Sequence, residues 1–225
     1  MAFLTFRGGI HPYDGKDLSK KLSCREVSAE GRSGNSCFSA HRSSGQADRK
    51  KGDHVLAGQK IAEAGGFVSA PIHSSVSGTV KGIEKRLTAV GAMGDAIIIE
   101  NDGLYESVEY APAKLSDLSK EDILKRIQEG GVVGQGGAGF PTHVKLSPKE
   151  PDKIDHILVN GAECEPYITS DYRRMMEEPE SIVGGLEVIL KAFPKAVGCI
   201  CIEDNKPDCI ARMKRSHQRQ KSVWK

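Results

Sequence analysis

The sequence has few aromatic residues, no long apolar run and no strong excess of charge. Aromatic residues make up 5% and apolar residues 38% of the 225 residues, so a core must be built from Val, Ile, Leu and Ala. The longest aliphatic stretch, Ala96–Ile99, is far short of the roughly 20 residues that a membrane helix needs. The net charge of +2 gives no global argument for nucleic-acid binding. Because residues 1–6 are also too short for a signal peptide, we expect a soluble, cytoplasmic chain.

The six cysteines do not form a recognisable metal or redox pattern. They are Cys24, Cys37, Cys164, Cys199, Cys201 and Cys209, and no Cys-x-x-Cys pair is present. Zinc-ribbon, thioredoxin-type and iron–sulfur interpretations therefore fail. Cys199 and Cys201 alternate on a predicted strand, where buried small side chains are favoured over metal ligands. We expect reduced thiols and no iron–sulfur cluster built from these cysteines.

Two segments lack apolar periodicity. Residues 23–49 contain seven Ser and only two large apolar residues, Val27 and Phe38, which predicts an irregular loop or disorder. Residues 211–225 contain six basic and no acidic residues, which predicts a poorly ordered, solvated basic tail.

Short strands separated by glycine turns are predicted for residues 50–110. Residues 76–83 alternate at a period of two, and Ala96–Glu100 forms a further strand. This spacing is typical of a small β-sandwich or barrel.

From residue 116 to residue 210 the pattern changes to an α/β order. Ser119 and Asp122 resemble a capping box at the start of a helix that ends at Gly130. Residues 154–160 and 196–203 read as strands, with a helix between them. Strand–helix–strand order implies a parallel sheet with right-handed crossovers.

A glycine loop precedes Lys145 and is the strongest local signal. Its glycines are Gly134, Gly136, Gly137 and Gly139. They let the backbone approach a ligand, and Pro141 suits the first turn of a helix whose N–H groups favour anions. The Lys145 ammonium lies close enough in sequence to reach a phosphate. The loop is not a Walker loop, and a glycine-rich hinge is the alternative interpretation.

An acidic loop, Asn160–Pro166, follows the predicted strand 154–160. It lies where open α/β sheets place ligands, at the carboxyl end of a parallel strand. In extended chain, Glu163 and Glu165 would point the same way and could accept hydrogen bonds from ribose hydroxyls or a carboxamide. Two exposed surface glutamates are the alternative.

These two loops, together with the opening residues 6–12, resemble the RnfC family, the C subunits of Rnf-type ion-translocating electron transport complexes. The loops are also similar to the flavin- and NADH-binding subunit of respiratory complex I. The resemblance covers an N-terminal family segment, 1–22, and roughly residues 50–210. It implies an α/β fold class with a small β-rich, lipoyl-like barrel-sandwich hybrid domain at 50–110. A Rossmann-like FMN/NADH-binding domain at 116–210 follows, in a chain that we expect to be truncated.

The resemblance also implies site residues. FMN phosphate would be held by Gly134, Gly136, Gly137, Gly139 and Lys145. The flavin and nicotinamide would be contacted by Asn160, Glu163 and Glu165, and Phe140 would line the NADH site with Glu165. The hybrid domain has no Met-Lys-Met or Asp-Lys-Ala tip, so no swinging-arm lysine is predicted.

The function that follows is electron transfer on the NADH side of a membrane ferredoxin:NAD oxidoreductase. FMN is the implied cofactor, NADH the substrate and the other subunits of the complex the partners. The family's 4Fe-4S clusters are not supported by the cysteines here. The implied location is the cytoplasmic face of the cell membrane, without a span of its own. The alternative is a non-catalytic hybrid or docking module without a cofactor, and flavin retention would separate the two.

Overall fold

The structure is a computed structural model that describes residues 12–27, 32–36, 46–88, 91–135 and 138–219. The chain divides into two compact units, Val27–Pro151 and Asp152–Lys225 together with Met1–Glu26. Within the described ranges, no helix has both the length and the apolar character needed to cross a membrane.

Antiparallel β-structure dominates the unit Val27–Pro151. Its strands are β1 (Arg32–Ser36), β2 (Gln46–Ala47), β3 (His54–Val55), β4 (Lys60–Glu63), β5 (Ile72–His73), β6 (Gly78–Leu87) and β7 (Met93–Asn101). One sheet has the order β1-β7-β6-β3 and a second has the order β2-β4-β5. The short strands predicted between residues 50 and 110 are therefore present, arranged in two sheets.

Aliphatic side chains from both sheets form the core of this unit. The buried cluster consists of Val55, Ile61, Ala62, Val76, Val80, Ile97 and Ile99. In the β6–β7 pair, Val80 lies opposite Ile99. Each fully buried side chain of this size contributes about 1.5–3 kcal/mol. The core therefore depends on Val and Ile rather than on aromatic residues, as the composition predicts.

The prediction that residues 23–49 are irregular is wrong for β1 and β2. Strand β1 pairs antiparallel with β7 over five residues, from Arg32 opposite Glu100 to Ser36 opposite Ala96. The side of β7 that faces away from β6 presents N–H and C=O groups that need partners, and the backbone of β1 supplies them without apolar side chains. Residues 28–31 and 37–45 lie outside the described residues.

Two helices follow the strands in the same unit, after a 3-10 turn at Leu115–Asp117. They are α1 (Lys120–Glu129) and α2 (Thr142–Lys145). The capping box predicted before α1 is confirmed: the Asp122 N–H donates to the Ser119 hydroxyl, and the Asp122 carboxylate accepts from the Ser119 N–H. The helix ends at Glu129 with Gly130 as its C-cap.

The unit Asp152–Lys225, with Met1–Glu26, has an α/β order. Its elements are β8 (His156–Asn160), α3 (Ser170–Glu177), α4 (Pro179–Ala192), β9 (Val197–Cys201) and α5 (Pro207–Arg219), with a 3-10 turn at Lys16–Leu18. A further 3-10 turn, Pro151–Lys153, precedes β8. Strands β8 and β9 are parallel, with Asn160 opposite Cys201. The buried core contains Tyr172, Met175, Val183, Cys209 and Met213. The predicted parallel strand–helix–strand order is therefore present.

The prediction of a poorly ordered tail is wrong for residues 211–219, which belong to α5. Met213 is buried and Ser216 is fully buried, although the segment is strongly basic. The helical spacing of Cys209, Met213 and Ser216 places them on one face, which packs inward while Lys214 and Arg215 stay exposed. The composition of the segment did not predict this buried face, because charged residues surround its members in the sequence. Residues 220–225 lie outside the described part of the chain.

Alkaline pH is expected to destabilise this unit through Cys209 and Tyr172. Burial raises the pKa of the Cys209 thiol from 9.0 to about 11. Burial and the hydrogen bond to Asp208 raise the pKa of Tyr172 from 10.0 to about 12. In the folded state both groups are held neutral. Their stabilising contribution is complete below about pH 9 for the thiol and about pH 10 for the phenol, and it is lost as the pH rises through the folded pKa values.

Urea unfolding of the parent and of Cys209→Ala between about pH 8 and pH 11 measures this effect. The unfolding midpoint of the parent should fall more steeply above about pH 9 than that of Cys209→Ala. Parallel curves would show that the Cys209 thiol does not contribute.

Candidate functional site

The glycine loop is closed by backbone hydrogen bonds across its base. The Thr142 N–H donates to the Val132 carbonyl at 3.0 Å, and the Gly134 N–H donates to the Phe140 carbonyl at 2.9 Å. Gly139 adopts a φ of 60°, a left-handed conformation that glycine tolerates better than other residues. These bonds pair the residues just before the glycine loop with those just after it. The predicted site residues Gly136 and Gly137 lie outside the described residues.

The structure brings Lys145 and Gly134 together. Lys145 is the last residue of α2, and a Cβ atom at position 134 would lie 2.7 Å from its Nζ. Glycine at this position therefore leaves room for the ammonium against the loop backbone. Pro141 precedes α2 as its N-cap, one residue earlier than predicted. The arrangement places one positive charge beside a glycine-lined backbone, a combination that suits a phosphate group.

His143 fixes α2 to the connection between β4 and β5. Its side chain is buried, and its Nε2 lies 3.1 Å from the Phe67 carbonyl oxygen. Because a carbonyl only accepts, Nε2–H is the donor. The two rings also meet edge-to-face, with centroids 5.8 Å apart. The sequence alone does not predict the role of His143, because its partner is 76 positions away.

The acidic loop begins at the carboxyl ends of β8 and β9. The Gly161 N–H donates to the Cys201 carbonyl at 2.8 Å, which continues the pairing of the two strands. The side-chain oxygen of Asn160 accepts from the Ala162 N–H at 3.1 Å. This local turn directs the chain away from the sheet. The predicted site residue Asn160 is thus an exposed turn former at the loop entrance.

Glu163 and Glu165 differ from the prediction that both face a ligand. Glu163 is only 2% exposed, and its carboxylate accepts from the Ser170 hydroxyl at 3.2 Å and from the N–H groups of Asp171 at 2.7 Å and Tyr172 at 3.3 Å. Glu165 is exposed. The first N–H groups of a helix lack partners within the helix, and a carboxylate there also interacts favourably with the helix dipole. Glu163 therefore caps α3.

Replacing Glu163 with glutamine tests this capping role. The amide keeps the size of the side chain but loses the charge, and it has one acceptor oxygen instead of two. We expect the free energy of unfolding to fall by about 1–2 kcal/mol. Urea unfolding at neutral pH measures the change, with Glu165→Gln as the matched control that should be nearly neutral. Equal stability of the two variants would contradict the assignment.

An N-terminal segment, residues 13–20, packs on the acidic loop within the same unit. The Tyr167 N–H donates to the Asp14 carbonyl at 2.5 Å. The Ser19 and Thr169 hydroxyls are 2.8 Å apart. Lys16 contributes the largest set of contacts, three hydrogen bonds to backbone carbonyls in and just after the loop. The N-terminal segment that the sequence assigned only by resemblance is therefore part of the loop's support.

The cysteines in the described residues do not converge. Cys24, Cys164 and Cys201 are exposed, whereas Cys209 is buried. No group of three or more His, Cys, Asp or Glu side chains in the described ranges could hold a metal ion.

Two domain families match the chain. The family described as RnfC Barrel sandwich hybrid domain matches residues 4–104. The family described as Nuo51 FMN-binding domain matches residues 127–223. The chain is therefore an α/β protein with a hybrid domain followed by an FMN-binding domain, and the predicted fold class is confirmed. The first match spans residues 23–49. The second runs past residue 210, where the sequence analysis placed the end of the family pattern.

Curated relatives match the chain across both of these domain regions. The C subunit of the proton-translocating ferredoxin:NAD(+) oxidoreductase complex of Clostridium ljungdahlii is 40% identical over 95% of this chain and 47% of its own length. The C subunit of the Na(+)-translocating complex of Acetobacterium woodii is 38% identical over 92% of this chain and 47% of its own. The C subunit of an ion-translocating oxidoreductase complex of Haemophilus influenzae is 35% identical over 95% of this chain and 33% of its own.

By its two domain matches and these relatives, the chain is similar, over most of its length, to the RnfC family, the C subunits of ion-translocating oxidoreductase complexes. It spans about half the length of the first two relatives.

Proposed function

We propose that the chain belongs to the NADH-side, FMN-binding subunit of a membrane ion-translocating ferredoxin:NAD oxidoreductase complex. The observation that carries the proposal is the position of the Lys145 ammonium against Gly134, within the part of the chain that matches an FMN-binding domain. A side chain at position 134 would fill the space beside the ammonium. The residues present therefore fit a phosphate-bearing cofactor.

FMN phosphate would be held by the glycine loop. Lys145 would offset the phosphate charge, and the glycines at 134, 136, 137 and 139 would let the backbone approach it. When bound, FMN would accept a hydride from NADH and release the electrons one at a time. The protein would supply binding and orientation.

The acidic loop would serve the flavin and the dinucleotide. The exposed Glu165 carboxylate would accept a hydrogen bond from a ribose hydroxyl or the nicotinamide carboxamide. Phe140 would offer a ring face in the NADH site. Glu163 would act through its capping of α3 and through the backbone of the loop, while Asn160 would fix the loop entrance.

The partners and location are proposed from the relatives' names. Those names place the relatives in multi-subunit, ion-translocating complexes. We propose that this chain contacts other subunits of such a complex at the cytoplasmic face of a membrane. We also propose that any 4Fe-4S clusters of the complete protein use cysteines other than those present here.

Anaerobic reduction by NADH tests the proposed function. The chain is incubated with FMN, freed of unbound flavin by gel filtration and mixed with NADH under argon. Bleaching of the visible flavin absorbance is expected, with NADPH as the comparison. A chain that retains FMN but is not bleached would contradict NADH-side electron transfer. A chain that retains no FMN would favour a hybrid or docking module instead.

A further inference from the structure

Three backbone carbonyls, two in the acidic loop and one just after it, converge on one ammonium. Lys16 Nζ donates to the carbonyl oxygens of Glu163 at 2.7 Å, Glu165 at 2.9 Å and Ile168 at 2.7 Å. An ammonium has three N–H donors, so this set uses all of them. The partners are about 150 positions away in sequence, and Lys16 sits in a single 3-10 turn. The contact therefore joins the N-terminal segment to the backbone of residues 163–168.

The loop needs such a centre because its own conformation is unfavourable. Tyr167 has a φ of 67°, a left-handed value that is unfavourable for a residue other than glycine. Three carbonyl dipoles pointing at one region also repel one another unless a positive charge lies between them. The opposing segment is shaped for close approach: Gly15 has a φ of 59°, and a Cβ there would overlap the Tyr167 ring.

Neighbouring lysines do not duplicate this arrangement. Lys206 is buried and pairs with Glu203, reaching the Glu163 carbonyl only at 3.4 Å. Lys20, in the same N-terminal segment, lies 3.9 Å from Asp208 and 4.9 Å above the Tyr172 ring centroid. Lys20 is therefore a matched control. It carries the same charge as Lys16 and lies in the same segment, but its ammonium contacts Asp208 and Tyr172 and not the three carbonyls that Lys16 binds.

We propose that Lys16 is a positioning residue for dinucleotide binding. Its ammonium is an internal cation that sets the backbone of residues 163–168 and thereby the direction of the Glu165 carboxylate. The consequence for NADH rests on the proposed function, whereas the ordering of the loop does not.

Amide hydrogen exchange tests the ordering of the loop. The reporters are the Tyr167 amide, which donates to Asp14, and the Asp171 amide, which donates to Glu163. In Lys16→Ala these amides should exchange at least about tenfold faster than in the parent, because charge-assisted hydrogen bonds are lost. They should be unchanged in Lys20→Ala. The amides paired between β8 and β9 report whether the whole unit has opened. Unchanged exchange of both reporters in Lys16→Ala would overturn the proposal.

Chemical rescue separates an internal cation from a general packing role. Lys16→Ala removes most of the side chain, and propylammonium supplies an ammonium with three donors on a short stem. Protection of the two reporter amides should return with propylammonium, even if the variant is partly unfolded without it. Tetramethylammonium has the same charge but no N–H donor, so it should have no effect at equal concentration. Equal behaviour of the two ions would overturn the proposal.

Binding of NADH to the FMN-loaded chain tests the consequence. Lys16→Ala should bind NADH about tenfold more weakly than the parent and the Lys20→Ala control, and propylammonium should restore most of the affinity. Equal NADH affinity of parent and Lys16→Ala, with altered exchange, would overturn the positioning role. A parent that binds no NADH would instead contradict the proposed function, and the exchange and rescue results would still decide whether Lys16 orders the loop.

Discussion

Replacing Gly78 with alanine is expected to lower the free energy of unfolding of the unit Val27–Pro151 by about 2–5 kcal/mol. Gly78 begins β6 with a φ of 153° and pairs with residues of both β3 and β7. A Cβ there would overlap the Glu100 carbonyl oxygen and lie 2.9 Å from the carbonyl carbon. Backbone atoms of a paired strand cannot move aside without breaking the sheet. The estimate adds about 1–2 kcal/mol for the backbone conformation to about 1–3 kcal/mol for overpacking.

Gly103→Ala provides the control for the Gly78 variant. Gly103 also has a positive φ, 75°, but nothing lies within 4 Å of a Cβ built there. Gly103→Ala should therefore lower the free energy of unfolding by only about 1–2 kcal/mol, the contribution of backbone strain. Urea unfolding of both variants separates the clash from the strain. Equal losses would show that the Glu100 carbonyl does not restrict position 78.

Replacing Lys145 with alanine is expected to weaken FMN binding about tenfold to a hundredfold. A charge-assisted hydrogen bond to phosphate contributes about 1.5–3 kcal/mol, and the Lys145 ammonium is the positive charge that lies against Gly134. Flavin titrations of parent and variant at one salt concentration measure the change. Salt is held constant because screening weakens exposed charge interactions.

Two controls show whether the Lys145 effect is a phosphate contact. Riboflavin has no phosphate, so its affinity should be nearly the same for parent and variant. Lys149→Ala removes a lysine of the same segment and should leave FMN affinity unchanged. If Lys145→Ala weakens FMN and riboflavin equally, Lys145 supports the loop and does not contact phosphate.

Features set by local sequence could be predicted. The capping box at Ser119 depends on residues three positions apart, and the turn glycines near residues 130 and 139 depend on their own backbone conformation. The strands of the hybrid region follow from alternation, because one face of each strand must be buried. The order of strands and helices after residue 150 follows from the change of period in the same way.

Features set by distant contacts could not be predicted. The sequence of β1 has almost no apolar pattern that would predict a strand. The strand can form without one because its backbone pairs with that of β7. The basic composition of α5 hides the apolar face that carries Met213. The role of Glu163 depends on where α3 begins. Its carboxylate caps that helix, whereas the sequence predicted a ligand contact. A period-two rule assumed extended chain, whereas the chain bends at Glu165 and turns at residues 166–167.

The same limit applies to the support of the two loops. His143 contacts a carbonyl 76 positions away, and Lys16 contacts carbonyls about 150 positions away. The residue types gave no hint, since a lysine or histidine at an ordinary position is usually a solvated side chain. The glycines and the lysine of the first loop could be singled out because their spacing is itself unusual.

Equilibrium binding of FMN and riboflavin to the purified chain tests the central claim most directly. The chain is titrated with each flavin, and binding is followed by the quenching of flavin fluorescence. If the glycine loop and Lys145 form a phosphate site, FMN should bind saturably and about tenfold or more tightly than riboflavin. Equal affinity for the two flavins, or no saturable binding of FMN, would contradict the assignment of this loop as a flavin phosphate site.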